Sequence, residues 1–237
     1  MVSRKEWDKL AKDFEREVCD ITRETKTDRI AKLMHTLKFP PGAVLADLGC
    51  GLGTFIARYG DRFTHSHAVE HAPRIMARAK KALKGRGDVT FLTSSLPPAA
   101  RRIGRRADLT VCMNVITMSG EATRERMWAA IAAVTKTGGR ALIVVPSLES
   151  DRMVDRIAYG TSAAEHRASA PGGLVERGGD RQKHFTRAEL AETLARHGFR
   201  TQKIAGVTYP WQKEGLRKPR NAGMKMPYDW LVLAERL

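Results

Sequence analysis

The chain has 237 residues, with 42 Lys and Arg against 26 Asp and Glu, a net charge of +16. That length suits one α/β domain with a sizeable core, since such units often run to about 250 residues. No stretch approaches the roughly 18 apolar residues of a membrane span. The charged N-terminal segment, with Lys5, Glu6, Asp8 and Lys9, lacks the apolar core of a secretory signal and is too acidic for a mitochondrial presequence. The expectation is a soluble, cytoplasmic protein with no membrane partner.

Cys19, Cys50 and Cys112 are far apart and offer neither a CxxC spacing nor a disulfide framework. Buried thiols in a reducing compartment fit this usage. The excess charge is clustered. From His71 to Arg106 there are ten Lys or Arg residues and one acid, Asp88. A second stretch, Lys213, Arg217, Lys218, Arg220 and Lys225, carries only Glu214 against it. Such clusters attract anionic ligands over long range. They read either as a nucleic-acid surface or as a solvated basic face. The first cluster has no interleaved aromatic residues, which favours the solvated face.

Residues 3–37 carry helical periodicity. Trp7, Leu10, Ala11, Phe14 and Val18 form one apolar stripe, and Ile30, Leu33, Met34 and Leu37 a second. Asp28 is placed to cap the second helix, and Pro40-Pro41-Gly42 ends the section. Ala43–Leu48 is then a short apolar run suited to a buried parallel strand. It ends in Gly49-Cys50-Gly51-Leu52-Gly53, and a helix follows. His67–Glu70 is a second strand, Pro73 opens a second helix, and Val89–Thr93 and Asp108–Met113 are the next strands. Met127–Val134 reads as a helix stopped by Gly138-Gly139, with Arg140–Val145 a fifth strand. The stretch 151–183 looks irregular, with Ala170-Pro171-Gly172-Gly173 and Gly178-Gly179 marking loop. Thr186-Arg187-Ala188-Glu189 is a capping box, Gly198 a helix stop, and Arg200–Thr208 and Trp230–Ala234 are the last strands. Strands alternating with helices imply βαβ units and a mostly parallel sheet in a single domain, 1–237.

The chemistry concentrates in Asp47-Leu48-Gly49-Cys50-Gly51-Leu52-Gly53. A glycine-rich turn between strand and helix lets backbone approach a ligand closely. Glu70, about twenty residues on at the next strand's end, is placed to accept from two ribose hydroxyls. A dinucleotide fingerprint needs a third glycine at residue 54, which is Thr54. No Gly-Lys-Ser/Thr follows, which excludes a P-loop. The carboxylate of Asp47 beside the turn suits a cationic ligand better than a pyrophosphate.

These residues resemble the class I S-adenosylmethionine-dependent methyltransferases. Val44–Gly53 is similar to that family's first motif, and Glu70 to its ribose-binding acid. Phe91-Leu92-Thr93-Ser94-Ser95 stands where the family contacts adenine, and Asp108–Asn114 and Gly138–Val145 resemble its fourth- and fifth-strand motifs. His184–Leu190, Gly198-Phe199 and Tyr228–Ala234 extend the likeness over roughly 40–237. The resemblance implies a Rossmann-like seven-stranded, mostly parallel sheet with an antiparallel last strand and helices on both faces. It also implies an N-terminal helical extension, 1–39, forming part of a lid over the 40–237 core. It implies S-adenosylmethionine as cofactor. Gly49, Gly51 and Gly53 would meet its methionine and ribose end, with Asp47 orienting the glycines or holding the amino group. Ser94 stands where relatives often carry an Asp for the adenine amino group. Asn114 would line the methionine end or cap the turn after the fourth strand.

The acceptor is less legible. An Asn/Asp-Pro-Pro-aromatic motif is absent, since Asn114-Val115-Ile116-Thr117-Met118 stands in its place, and there is no Pro-Cys nucleophile. No His, Asp and Glu cluster has metal-ligand spacing. A small-molecule O-, N- or S-methyltransferase is the first reading, with an anionic substrate suggested by Arg217 and its neighbours. A nucleic-acid methyltransferase using the basic surface is the second. His184 is either a catalytic base or a helix-flanking surface residue. Tyr209 and Trp211 are either substrate contacts or packing residues, and Trp230 shares that choice.

Overall fold

The structure, a computed structural model, describes residues 28–177 and 180–237, together with Asp8, Lys9, Ala11 and Ile21. The first apolar stripe expected at Trp7–Val18 lies outside the described residues apart from Ala11, and so does most of the expected lid. Strands are β1 (Val44–Leu48), β2 (His65–Glu70), β3 (Val89–Thr93), β4 (Ala107–Met113), β5 (Thr135–Pro146), β6 (Leu174–Arg177), β7 (Asp180–Lys183), β8 (Phe199–Thr208) and β9 (Tyr228–Arg236). Helices are α1 (Arg29–Thr36), α2 (Thr54–Tyr59), α3 (Pro73–Ala82), α4 (Leu96–Ile103), α5 (Glu121–Val134), α6 (Leu148–Tyr159), α7 (Ala163–Ser169) and α8 (Arg187–Arg196).

Seven strands form one sheet in the order β3-β2-β1-β4-β5-β9-β8, and β6-β7 is a separate hairpin. Pairing is parallel from β3 through β5, and β9 runs antiparallel to both β5 and β8. The order reverses between β1 and β4, the topological switch point where open α/β sheets bind ligands. Central strands are apolar on both faces because both faces are covered. Ala141, Ile143 and Val145 of β5 pack with residues of α4, α5 and α8, and Leu142 and Val144 pack with those of α1, α2 and α3. The fold is the Rossmann-like one that the resemblance implied.

Local chemistry sets the ends of these elements. Pro73 occupies the first turn of α3, where its missing N–H costs nothing. Thr186 Oγ1 accepts from the Glu189 N–H at 3.2 Å and caps α8. The reciprocal half of that box is not made, because Glu189 instead accepts from Lys183 Nζ.

Three expectations need correction. Asp28 precedes α1 but has φ 41° and makes no side-chain cap; its carboxylate pairs with Arg58 at 3.1 Å. Helix α5 ends at Val134 as expected, but Gly138-Gly139 do not stop it: they lie inside β5, which starts at Thr135 rather than Arg140, where Thr135 pairs with Ala107 and its hydroxyl donates to the Ile131 carbonyl at 2.8 Å. The stretch after β5 is largely ordered into α6, α7 and the β6-β7 hairpin. Ser147 caps α6 through the Ser150 N–H at 3.0 Å, and Ser162 and Glu165 form a complete capping box on α7.

Candidate functional site

The carboxyl ends of β1, β2, β3 and β4 bring together the residues that the sequence placed far apart. After β1 the chain turns through Gly49, Gly51 and Gly53 with φ of 87°, 52° and 78°, a region that costs side-chain-bearing residues about 1–2 kcal/mol each. Close approach adds to this at Gly49, where a Cβ would collide with Cγ2 of Val115. The turn is fixed to β2, whose Val69 carbonyl accepts from the N–H groups of both Gly49 and Cys50 at 2.8 Å.

Glu70 ends β2 and is buried. Its Oε1 accepts from the Ala72 N–H at 2.9 Å and lies 3.0 Å from His71 Nδ1, so the carboxylate is oriented before any ligand arrives. Its backbone carbonyl accepts from the Ser94 N–H at 3.0 Å, which holds the end of β3 against the end of β2. Ser94 is half-buried, and its hydroxyl donates to the Ser95 carbonyl at 3.1 Å. Asp47 is buried at the end of β1. Burial and the nearby Asp47 and Glu70 carboxylates push the Cys50 thiol well above its usual range, which makes that cysteine a poor nucleophile.

Asn114 follows β4 in a left-handed conformation, φ 53°. Its N–H donates to the Val144 carbonyl at 2.8 Å, and its Nδ2 donates to Asp229 Oδ2 at 2.8 Å. The opposite end of the amide, Oδ1, is buried with no hydrogen-bond partner among the described residues. Buried acceptors are rarely left unpaired, so this atom marks a place for a donor group.

On the other side of the switch point, β5 and β8 end and antiparallel β9 begins at the same edge, since Pro146 pairs with Asp229 and Thr208 with Tyr228. Tyr209, half-buried, donates from its hydroxyl to Glu214 Oε1 at 2.6 Å. His184 is joined to this edge through Phe185, whose N–H donates to the Pro146 carbonyl at 2.9 Å. Its Nδ1 lies 4.0 Å from Asp151 Oδ1, and its side chain is 16% exposed, so it is no surface residue. Trp211 does not join the site. Its ring is 1% exposed against Val154 and Ala222, and its Nε1 donates to the Lys225 carbonyl at 3.0 Å, which leaves no face for a ligand. Trp230 is likewise buried, with Nε1 donating to Glu149 at 3.2 Å. Arg217 stands exposed on the segment between β8 and β9.

Two groups escape a reading of the sequence. Asp229 is buried at the start of β9, and burial pushes its carboxyl up to about 7, against the pull of the Asn114 hydrogen bond and with a push from Glu214. Asp151, Asp155 and His166 meet between α6 and α7, with His166 Nε2 at 2.6 Å from Asp151 and 3.6 Å from Asp155. These three atoms could surround a cation. A metal-bound imidazole ordinarily donates its other N–H to an acceptor behind it, and His166 Nδ1 is buried with no such partner among the described residues. We read the group as a hydrogen-bonded clasp holding α7 to α6.

No helix among the described residues is long and apolar enough to cross a membrane. Residues 45–139 match the model of the methyltransferase domain family. No curated protein matches the sequence. Among solved structures, the S-adenosylmethionine-dependent methyltransferase from Mesorhizobium loti is 17% identical with a TM-score of 0.63, over 87% of this chain and 96% of that one. The 1,6-didemethyltoxoflavin-N1-methyltransferase of Burkholderia thailandensis, solved with its substrate and S-adenosylhomocysteine, is 20% identical with a TM-score of 0.64, over 98% and 86%. Magnesium protoporphyrin IX methyltransferase from Synechocystis, solved with S-adenosylhomocysteine, is 14% identical with a TM-score of 0.60, over 98% and 94%. Residues 45–139 thus match a methyltransferase domain, and the sheet as a whole has the Rossmann-like fold of solved S-adenosylmethionine-dependent methyltransferases.

Proposed function

We propose that this enzyme methylates a small molecule at an oxygen, nitrogen or sulfur, with the cofactor held along the ends of β1 to β4. Asp47, Gly49, Gly51, Gly53, Glu70, Ser94 and Asn114 form that cofactor site. The observation that carries it is the buried, unpartnered Oδ1 of Asn114 at the same sheet edge as the glycine turn. Glu70 takes the ribose hydroxyls, Asn114 and Asp47 the cationic methionine end, and the Ser94 segment the adenine.

Bound S-adenosylmethionine supplies a methyl group already activated on a sulfonium. The chain's own part is orientation and exclusion of water. His184 serves as general base where the acceptor must lose a proton, and its near-burial beside Asp151 supports that role. Tyr209 contributes to the acceptor side, and the exposed Arg217 favours an anionic substituent on the substrate. In this reading 1–237 is one domain, with residues 1–39 completing a lid, and it works in the cytoplasm. Relatives of the same fold that act on a small molecule, such as the didemethyltoxoflavin enzyme, support the choice by analogy of architecture alone.

A second reading is favoured by one observation: Lys80, Lys81, Lys84, Arg101, Arg102 and Arg105, around α3 and α4, are all exposed. An RNA acceptor would bind there through its phosphates. One experiment separates the two. The enzyme is incubated with labelled S-adenosylmethionine and either the low-molecular-weight or the RNA fraction of a cell extract. Label in a small product supports the first reading; label in RNA alone defeats it.

A further inference from the structure

Asn114 and Asp229 are 115 positions apart in sequence and joined at 2.8 Å. Asp229 is 5% exposed, and no described residue forms an ion pair with it. It faces the uncharged Asn114 from β4 and Pro146 from β5. The titratable groups near it are Glu214, with Tyr209 bonded to that carboxylate, and its neighbour Tyr228, which Glu149 influences. None of these is a cation. A buried carboxylate without a cation is costly, and the fold retains one beside the residue that ends β4.

A carboxamide has a donor end and an acceptor end. An ionised Asp229 can only accept, so it takes Nδ2 of Asn114 and turns Oδ1 away from itself. A protonated Asp229 can donate to Oδ1, and the amide then turns Nδ2 outward. The protonation of Asp229 thus decides whether Asn114 offers a hydrogen-bond acceptor or a donor. An ammonium, which only donates, selects the first arrangement.

We propose that Asp229 is a positioning residue that acts through Asn114 to present an acceptor to the ammonium of the cofactor, and that capture of this group releases a proton from Asp229 to solvent. The inference rests on the reading that Asn114 lines the methionine end of the cofactor site. The carboxyl's titration near neutrality supports it: an acid poised there is part protonated at pH 7 and becomes ionised on binding.

The test is calorimetry of S-adenosylhomocysteine binding to the whole chain at pH 7, in two buffers of different ionisation enthalpy. The wild type is expected to release about half a proton more than Asp229→Asn, and the variant to bind about tenfold more weakly. Any proton lost by the ligand itself is common to both proteins and cancels. A second measurement needs no variant. Wild-type affinity should rise about tenfold from pH 6 to pH 8, as one group near pH 7 ionises. Equal proton release by both proteins, or a flat affinity across that range, overturns the inference. Failure of the wild type to bind at all overturns the cofactor-site reading beneath it, a result distinct from binding without proton release.

Discussion

The backbone carbonyl of Glu70 accepts from the backbone N–H of Ser94 at 3.0 Å, tying the carboxyl ends of β2 and β3 together. The tie is made by the N–H and not by the Ser94 hydroxyl, which is bonded to Ser95. Ser94→Ala should leave the melting temperature within about 2 °C of wild type. Ser94→Pro removes the donor and should cost roughly 1–3 kcal/mol, seen as a lower denaturation midpoint. Equal stability of the two variants would show that the tie does not hold this edge.

Gly49 combines a positive φ of 87° with a close approach to Val115, whereas Gly85 has φ 89° with nothing within 4 Å of where a Cβ would stand. Alanine at either position is strained by the left-handed backbone, but only at Gly49 does it also overpack. We expect Gly85→Ala to cost about 1–2 kcal/mol and Gly49→Ala about 1–3 kcal/mol more. Urea denaturation of both proteins measures the difference. Equal losses would remove the close-approach argument.

His67 on β2 is half-buried, and burial, then His65 and Arg106, lowers its pKa from 6.5 to about 4. Its folded form holds protons less well than its unfolded form. The stabilisation is therefore complete above pH 6.5 and is lost as pH falls towards 4. Melting temperature should drop across that window, and His67→Gln should flatten the drop. An unchanged slope in the variant would assign the acid sensitivity elsewhere.

Asp229 has the opposite sign. Its folded pKa is raised to about 7 from 3.8, so the native state holds its proton more tightly than the unfolded chain. Stability falls with rising pH between those values. Asp229→Asn keeps a similar shape without the charge, and it should melt higher than wild type at pH 8 by roughly 5 °C, with the advantage shrinking at pH 5. A variant that melts lower at both pH values would contradict this account of Asp229.

The parts of the site that sequence makes legible are local. The glycine turn, the acid that ends β2 and the strand before each are set by neighbours along the chain, and the structure has them where their spacing put them. The region after β5 is harder because its glycines, Gly172 and Gly173 among them, read as loop and mask two helices. The serine caps of those helices, Ser147 and Ser162, are the readable signal. Asp229 and the His166 clasp depend on contacts across the fold, and nothing in the residues beside Asp229 shows that Asn114 will meet it. Trp211 looks like an available aromatic because sequence does not reveal which side of a turn packs inward.

Calorimetric titration of S-adenosylhomocysteine into wild type and Glu70→Ala tests the central claim most directly. If the ends of β1 to β4 hold the cofactor, the wild type binds one ligand per chain, and loss of the Glu70 carboxylate weakens binding by about 10- to 100-fold, the worth of a charge-assisted hydrogen bond. Equal affinity of the two proteins, with Glu70→Ala correctly folded, would contradict it.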